Sequence, residues 1–234
     1  MGKNKLARFH ELTRLERVFQ PSFDEAFGKD YILKGSWAQD VFRNNHPIVL
    51  ELGCGKGEYT VGMARRFGDK NFIGVDIKGA RIWRGSKTIN EENILNAAFL
   101  RTRIEWIGSF FAKDEISEIW LTFPDPQEKK RRAKKRLSGS LFLNSYRSIL
   151  SPEGIIHLKT DNQILYDYTL ALVQHNGAEI LFSSADLYGS GYADDILEIK
   201  TFYEQQYLSQ GVAIKYIRFR LPVDKQITEL PDNE

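Results

Sequence analysis

Short apolar runs alternate with stretches of helical periodicity along most of this chain, and that alternation limits the possible folds more than any other feature. Residues 48–52, 72–76, 98–101, 119–123, 155–159, 180–184 and 213–221 read as strands, seven in all. Helical patterns lie between most of them, over 58–67, 80–93, 140–150, 162–174 and 199–210. Strands separated by helices are joined by crossovers, which are right-handed and give a mainly parallel sheet covered on both faces. The last run differs: Ile214, Tyr216, Arg218 and Arg220 alternate with Ala213, Lys215, Ile217, Phe219 and Leu221, a pattern that suits an edge or antiparallel position.

The expected body is therefore α/β and Rossmann-like. With 234 residues, one such core with additions accounts for the whole length. We expect an N-terminal extension over 1–46, which has no clean period, a catalytic-sized domain over 47–221 and a polar acidic tail over 222–234, with both ends flexible. The single cysteine, Cys54, cannot form an intrachain disulfide, which favours a reducing compartment. No apolar run approaches the ~18 residues of a membrane span, and the first residues carry charges where a secretory leader would be apolar. These features predict a cytoplasmic protein without a membrane partner. His10, His46, His157 and His175 show no metal-ligand spacing, so no metal is expected.

The strand at 48–52 runs into Gly53-Cys54-Gly55-Lys56-Gly57 and then a helix start. Glycines allow backbone angles closed to other residues and let a ligand approach the chain, and this first turn lies at the carboxyl edge of a parallel sheet, where ligands collect. A purely structural turn is the alternative. The Gly-x-Gly-x-Gly spacing departs from the dinucleotide fingerprint, and Tyr59 sits where small packing belongs beside a pyrophosphate, which disfavours a nicotinamide enzyme. Asp76 ends the second strand, where a carboxylate can accept both ribose hydroxyls of an adenosine; as a helix cap it would be merely structural. Glu51 repels phosphate but suits an ammonium or sulfonium group. Cys54 lacks a neighbouring base and reads as a filler of the turn.

The fourth strand leads into Phe123-Pro124-Asp125-Pro126, which puts Asp125 at the same edge on a backbone restricted by two prolines. Four residues later Lys129, Lys130, Arg131, Arg132, Lys134, Lys135 and Arg136 place seven positive charges in eight positions. The formal net charge is only +2, and without this run 26 basic residues face 31 acidic ones, so the positive potential is local. Such a patch suits a polyanion, whose phosphates bind with release of counterions. A solvated loop or an import signal would have the same composition.

Together, Glu51-Leu52-Gly53-Cys54-Gly55-Lys56-Gly57, Phe123-Pro124-Asp125-Pro126 with its basic continuation, Lys159-Thr160-Asp161 and Thr201-Phe202-Tyr203-Glu204 resemble the tRNA (guanine-N7-)-methyltransferase family, over about residues 47–221. The resemblance implies a class I methyltransferase fold with a seven-stranded sheet and an antiparallel last strand. It implies S-adenosylmethionine as methyl donor, S-adenosylhomocysteine as product and tRNA as partner, with transfer to N7 of a guanosine in the variable loop. It places Glu51, Gly53, Gly55, Gly57, Asp76, Arg103 and Asp125 at the donor and makes Asp125 the catalytic residue. Lys129, Asp161, Thr201 and Glu204 then handle the substrate, with Lys130, Arg131, Arg132, Lys134, Lys135 and Arg136 on tRNA phosphates. Gln127 stands where the family usually carries Trp, and Arg103 where it carries an acid or Asn. Monomer and homodimer both remain open. The competing readings are a methyltransferase acting on a protein or small molecule, and a non-catalytic RNA-binding module on the same fold.

Overall fold

A computed structural model describes residues 2–231, with the side chains of residues 2–5 and of Lys130, and residues 1 and 232–234, outside the described set. In chain order the elements are α1 (Gly2–Leu12), β1 (Val18–Phe19), α2 (Phe23–Ala26), β2 (Ile48–Leu52), α3 (Glu58–Arg66), β3 (Asn71–Val75), α4 (Gly79–Glu91), β4 (Ala97–Leu100), α5 (Ile107–Phe110), β5 (Ile116–Thr122), α6 (Ser140–Arg147), β6 (Leu150–Thr160), α7 (Gln163–His175), β7 (Glu179–Ser184), α8 (Phe202–Ser209) and β8 (Lys215–Arg220). The sheet order is β1-β4-β3-β2-β5-β6-β8-β7. Strands β1 to β6 pair in parallel, whereas β8 lies antiparallel between β6 and β7. The alternating last strand is thus the antiparallel one, but it is interior; the edge belongs to β7, whose residues are mostly half-buried or exposed.

Side chains on successive strand positions enter opposite cores, as a period of two requires. Leu50, Ile73 and Leu121 join one core with Phe142 and Tyr146 of α6 and Leu165 and Leu172 of α7. Val49, Phe72 and Trp120 join the other with Tyr59 and Met63 of α3 and Ile82 and Ile89 of α4. All five residues of β2 are buried, which explains its unbroken apolar character around Glu51. Sheet order reverses at β2: β3 and β4 extend to one side, β5 and β6 to the other. The carboxyl ends of β2 and β5 therefore flank a topological switch point, where open α/β sheets bind ligands.

One expectation is corrected. The sheet has eight strands, because β1 adds two residues beside β4; a two-residue strand is too short to show a period. Both ends, expected to be flexible, carry specific contacts among the described residues. In the N-terminal part, α1 docks on α4 through Glu11, which accepts from Trp83 Nε1 at 2.7 Å and pairs with Lys87 at 3.2 Å. Trp37 is fully buried and donates to the Phe110 carbonyl at 2.8 Å. In the tail, Ile227 is buried; its N–H donates to Asn144 Oδ1 at 2.9 Å and its carbonyl accepts from Asn144 Nδ2 at 2.8 Å. Asn176 makes the same pair of bonds to Thr228, at 2.8 and 2.9 Å. A net acidic composition hides a single buried side chain and partners distant in sequence. No helix among the described residues is long and apolar enough to cross a membrane.

Candidate functional site

The loop after β2 turns back on β3: Gly53 and Cys54 donate their N–H groups to the Val75 carbonyl at 2.8 and 3.0 Å. Gly53, Gly55 and Gly57 all have positive φ, between 56° and 80°. Gly57 is glycine for packing as well, since a Cβ there would stand 2.5 Å from the Phe99 ring. Around Gly55 the space is open, with nothing within 4 Å of a built Cβ. A donor-sized group can therefore lie against the backbone at Gly55 but not at Gly57.

Asp76 leaves β3 beside this loop and is nearly buried. Its Oδ2 accepts from the Gly55 N–H at 3.0 Å and its Oδ1 from the Lys78 N–H at 2.8 Å, ahead of α4. The carboxylate thus holds the loop in place and keeps a lone pair on each oxygen for a ligand. It lines a cavity of about 410 Å³ with Gly53, Thr102, Arg103, Gln127, Lys134, Lys135 and Phe142. Arg103 lies with its guanidinium 5.6 Å from the Trp106 ring centre.

Glu51 is buried at the end of β2. Its Oε2 accepts from the Thr60 N–H at 2.8 Å and from the Thr60 hydroxyl at 2.5 Å, and its Oε1 from the Thr122 hydroxyl of β5 at 2.5 Å. Burial pushes its carboxyl up to about 7, against the pull of these hydrogen bonds and with a smaller push from Asp76. Glu51 lines a second, smaller cavity of about 110 Å³ with Gly53, Gly55, Arg81, Thr122, Phe123, Thr201 and Tyr203. Gly53 lines both cavities, with Asp76 in the larger and Glu51 in the smaller. Cys54 is buried, and burial pushes its thiol well up, which leaves it a filler.

Asp125 is exposed on the loop after β5, with Oδ1 accepting from the Gln127 N–H at 3.0 Å. Phe123 before it and Gln127 after it both have positive φ, 48° and 47°, conformations that cost energy in residues with a Cβ. Asp125 does not line either cavity, but Phe123 lines one and Gln127 the other. Asp161 follows β6, and its proximity contributes, after burial, to raising the Tyr207 phenol; the Tyr207 ring stacks on Phe123 at 6.2 Å.

The remaining candidates divide. Thr201 caps α8, its hydroxyl accepting from the Glu204 N–H at 3.3 Å, while also facing the smaller cavity. Glu204 is fully buried and pairs with Lys159. Lys129, Arg131 and Arg132 are exposed, and Lys134 and Lys135 are exposed at the rim of the larger cavity. Arg136 does not belong with them. It is 6% exposed, with Nε donating to the Pro126 carbonyl at 3.1 Å, so its side chain turns inward against the loop after β5. Its sequence neighbours hid this, because composition does not tell which member of a charge run faces the protein. Sequence reasoning missed Thr122, Phe123, Arg81 and Tyr203; only the register of β2 against β5 brings Thr122 to Glu51.

A family model described as "Putative methyltransferase" matches residues 45–217. The chain is 54% identical to the tRNA (guanine-N(7)-)-methyltransferase of Christiangramia forsetii, over 94% of this chain and 99% of that protein. It is 52% identical to the protein of the same name from Bacteroides thetaiotaomicron, over 100% of this chain and 92% of that protein. Among solved structures, the 16S rRNA methyltransferase KamB superposes with a TM-score of 0.60 at 12% identity, over 81% of this chain and 95% of that one, a likeness of fold.

Proposed function

The chain belongs to the tRNA (guanine-N(7)-)-methyltransferase family, and on that premise we propose that it transfers the methyl group of S-adenosylmethionine to N7 of a guanosine in tRNA, in the variable loop by family resemblance. The observation that carries the reading is the pair of cavities that share Gly53 as a lining residue. Asp76 would accept the ribose hydroxyls in the larger one, and Gly53 and Gly55 would leave room for the chain of the donor. Glu51, held between Thr60 and Thr122, would face its cationic amino-acid end.

The bound donor supplies an electrophilic methyl group on a sulfonium. Guanine N7 carries a free lone pair in the plane of the ring, so no general base is required before it attacks. The protein's task is alignment, which can be worth ~7 to 11 kcal/mol when two reactants are held in line. The guanine ring becomes cationic as the bond forms, and Asp125, on a backbone restricted by prolines, would stabilise that charge or hold the N1 and amino edge. Asp161 is the second carboxylate available for the same edge. Lys129, Arg131, Arg132, Lys134 and Lys135 offer the phosphate contacts that bring tRNA to this rim of the sheet. Incubation with methyl-labelled S-adenosylmethionine and unmodified tRNA, followed by nucleoside mapping, tests the reading: label in 7-methylguanosine supports it, and an unlabelled tRNA overturns it.

A further inference from the structure

Arg136 is the last residue of the basic run and, among the members whose side chains are described, the one withdrawn from solvent. Nε donates to the Pro126 carbonyl at 3.1 Å and Nη2 to the Gln127 carbonyl at 3.5 Å. The guanidinium carbon lies over the Tyr168 ring, 4.2 Å from its centre. The Tyr168 hydroxyl donates to Glu229 Oε1 at 2.8 Å, and the other oxygen of Glu229 accepts from the Ser140 hydroxyl at 2.9 Å. One continuous set of contacts thus runs from the C-terminal segment through α7 to the loop that carries Asp125.

That loop needs holding. Phe123 and Gln127 both occupy the left-handed region without being glycine, a conformation that persists only where the surroundings impose it. Pro124 and Pro126 lack N–H groups, so the loop has few donors with which to fix itself. A planar guanidinium can bond two successive carbonyls while stacking on a ring, and a lysine ammonium cannot. From this geometry we infer that Arg136 is a positioning residue for Asp125, clamping the Pro126 and Gln127 carbonyls and itself braced by Tyr168 and Glu229, and that it makes no tRNA contact. The inference rests on the methyl-transfer reading above for what the loop does, but not for how the loop is held.

Arg136→Lys separates the two roles, because a lysine replaces a phosphate contact as a point charge but not a two-carbonyl clamp. Single-turnover methylation of tRNA at saturating donor and tRNA should fall by on the order of 10²-fold in Arg136→Lys, the scale of a small misplacement of a reacting group. Its tRNA affinity and salt dependence should match wild type, whereas Lys135→Gln should lose up to ~0.9 of the logarithmic salt slope. Tyr168→Phe, which keeps the ring and drops the bond to Glu229, should lose roughly three- to tenfold in rate. Hydrogen exchange at the Gln127 amide should quicken in Arg136→Lys with the central strands unchanged, a readout that stands even if the wild-type protein methylates no tRNA. A normal rate with normal exchange in Arg136→Lys would overturn the clamp, and so would a salt slope reduced in Arg136→Gln as much as in Lys135→Gln. A wild-type protein without methyl transfer would instead overturn the functional reading.

Discussion

Lys159 and Glu204 form an ion pair of 2.8 Å in which both side chains are fully removed from solvent. The ammonium also donates to the carbonyls of Leu197 at 2.7 Å and Ile199 at 3.3 Å, so β6 holds the segment that leads into α8. Burial lowers the Lys159 pKa and Glu204 opposes that shift. Glu204 Oε1 further accepts from the Tyr188 hydroxyl at 2.6 Å, while its Oε2 has no protein partner. Two residues that resemblance joins to the substrate are therefore bound first to each other or to the fold: Glu204 by this pair, Thr201 by capping α8.

Removing one member of such a pair strands a buried charge. Glu204→Ala is expected to cost about 3–5 kcal/mol of folding stability, read by denaturant unfolding. Lys159→Met combined with Glu204→Leu should recover most of the loss, since an apolar pair leaves no unpaired charge. Near-wild-type stability in Glu204→Ala would show that the ion pair does not support the fold.

Asp76 holds the loop at Gly55, and substitution can separate that contact from the proposed contact to the donor. Asp76→Ala should weaken S-adenosylmethionine binding far more than tRNA binding, because two charge-assisted bonds to ribose hydroxyls contribute ~1.5 to 3 kcal/mol each. Asp76→Asn keeps one acceptor for the loop and should fall between Ala and wild type. Calorimetric titration with the donor measures both, and unchanged affinity in Asp76→Ala would remove the residue from the donor site.

Glu51 predicts a pH signature. Its carboxyl holds a proton up to about pH 7 in the folded chain but only to about 4.5 when unfolded, so between those values the folded state binds more protons. Its contribution to stability is present below pH 4.5 and is lost as pH rises through 7, about 3 kcal/mol in total at 1.36 kcal/mol per unit. Glu51→Gln should lack this part of the stability profile. Conversely, a cationic ligand favours the ionised carboxylate, so donor binding should release a proton below pH 7 and tighten as pH rises. Titration in buffers of different ionisation enthalpy measures that release; its absence in the wild type would show that Glu51 does not meet the donor's charge.

The parts of the site legible in the sequence are those built from neighbours in the chain. The run 48–57 fixes strand, turn and helix start within ten residues, and Asp76 falls at the end of the next strand for the same local reason. What was not legible depends on distant partners. Asn144 and Asn176 meet Ile227 and Thr228 across 83 and 52 residues, and no periodicity in an acidic tail announces that. Nothing in the sequence sets Arg136 apart from Arg131 and Arg132 until Tyr168 and the Pro126 carbonyl are placed around it. Thr201 and Glu204 were singled out by resemblance alone, and only the packing of α8 assigns them contacts.

Asp125 is the residue on which the proposed chemistry leans. Asp125→Ala should lower the single-turnover rate by ~10² to 10³, with donor affinity measured in the same variant to exclude a binding effect. Asp125→Asn keeps the shape and an acceptor but loses the charge. A large loss there assigns the role to electrostatic stabilisation of the ring, and a small one to orientation. Near-normal turnover in Asp125→Ala would transfer the role to Asp161.

In the proposed reaction guanine N7 itself attacks the donor methyl. A tRNA transcript made with 7-deazaguanosine replaces N7 by a C–H group and leaves the phosphates that the basic run would contact. With methyl-labelled S-adenosylmethionine, this tRNA should bind about as well as the unmodified transcript and accept no label, while the unmodified transcript is labelled. Label incorporated equally into both would contradict attack by N7.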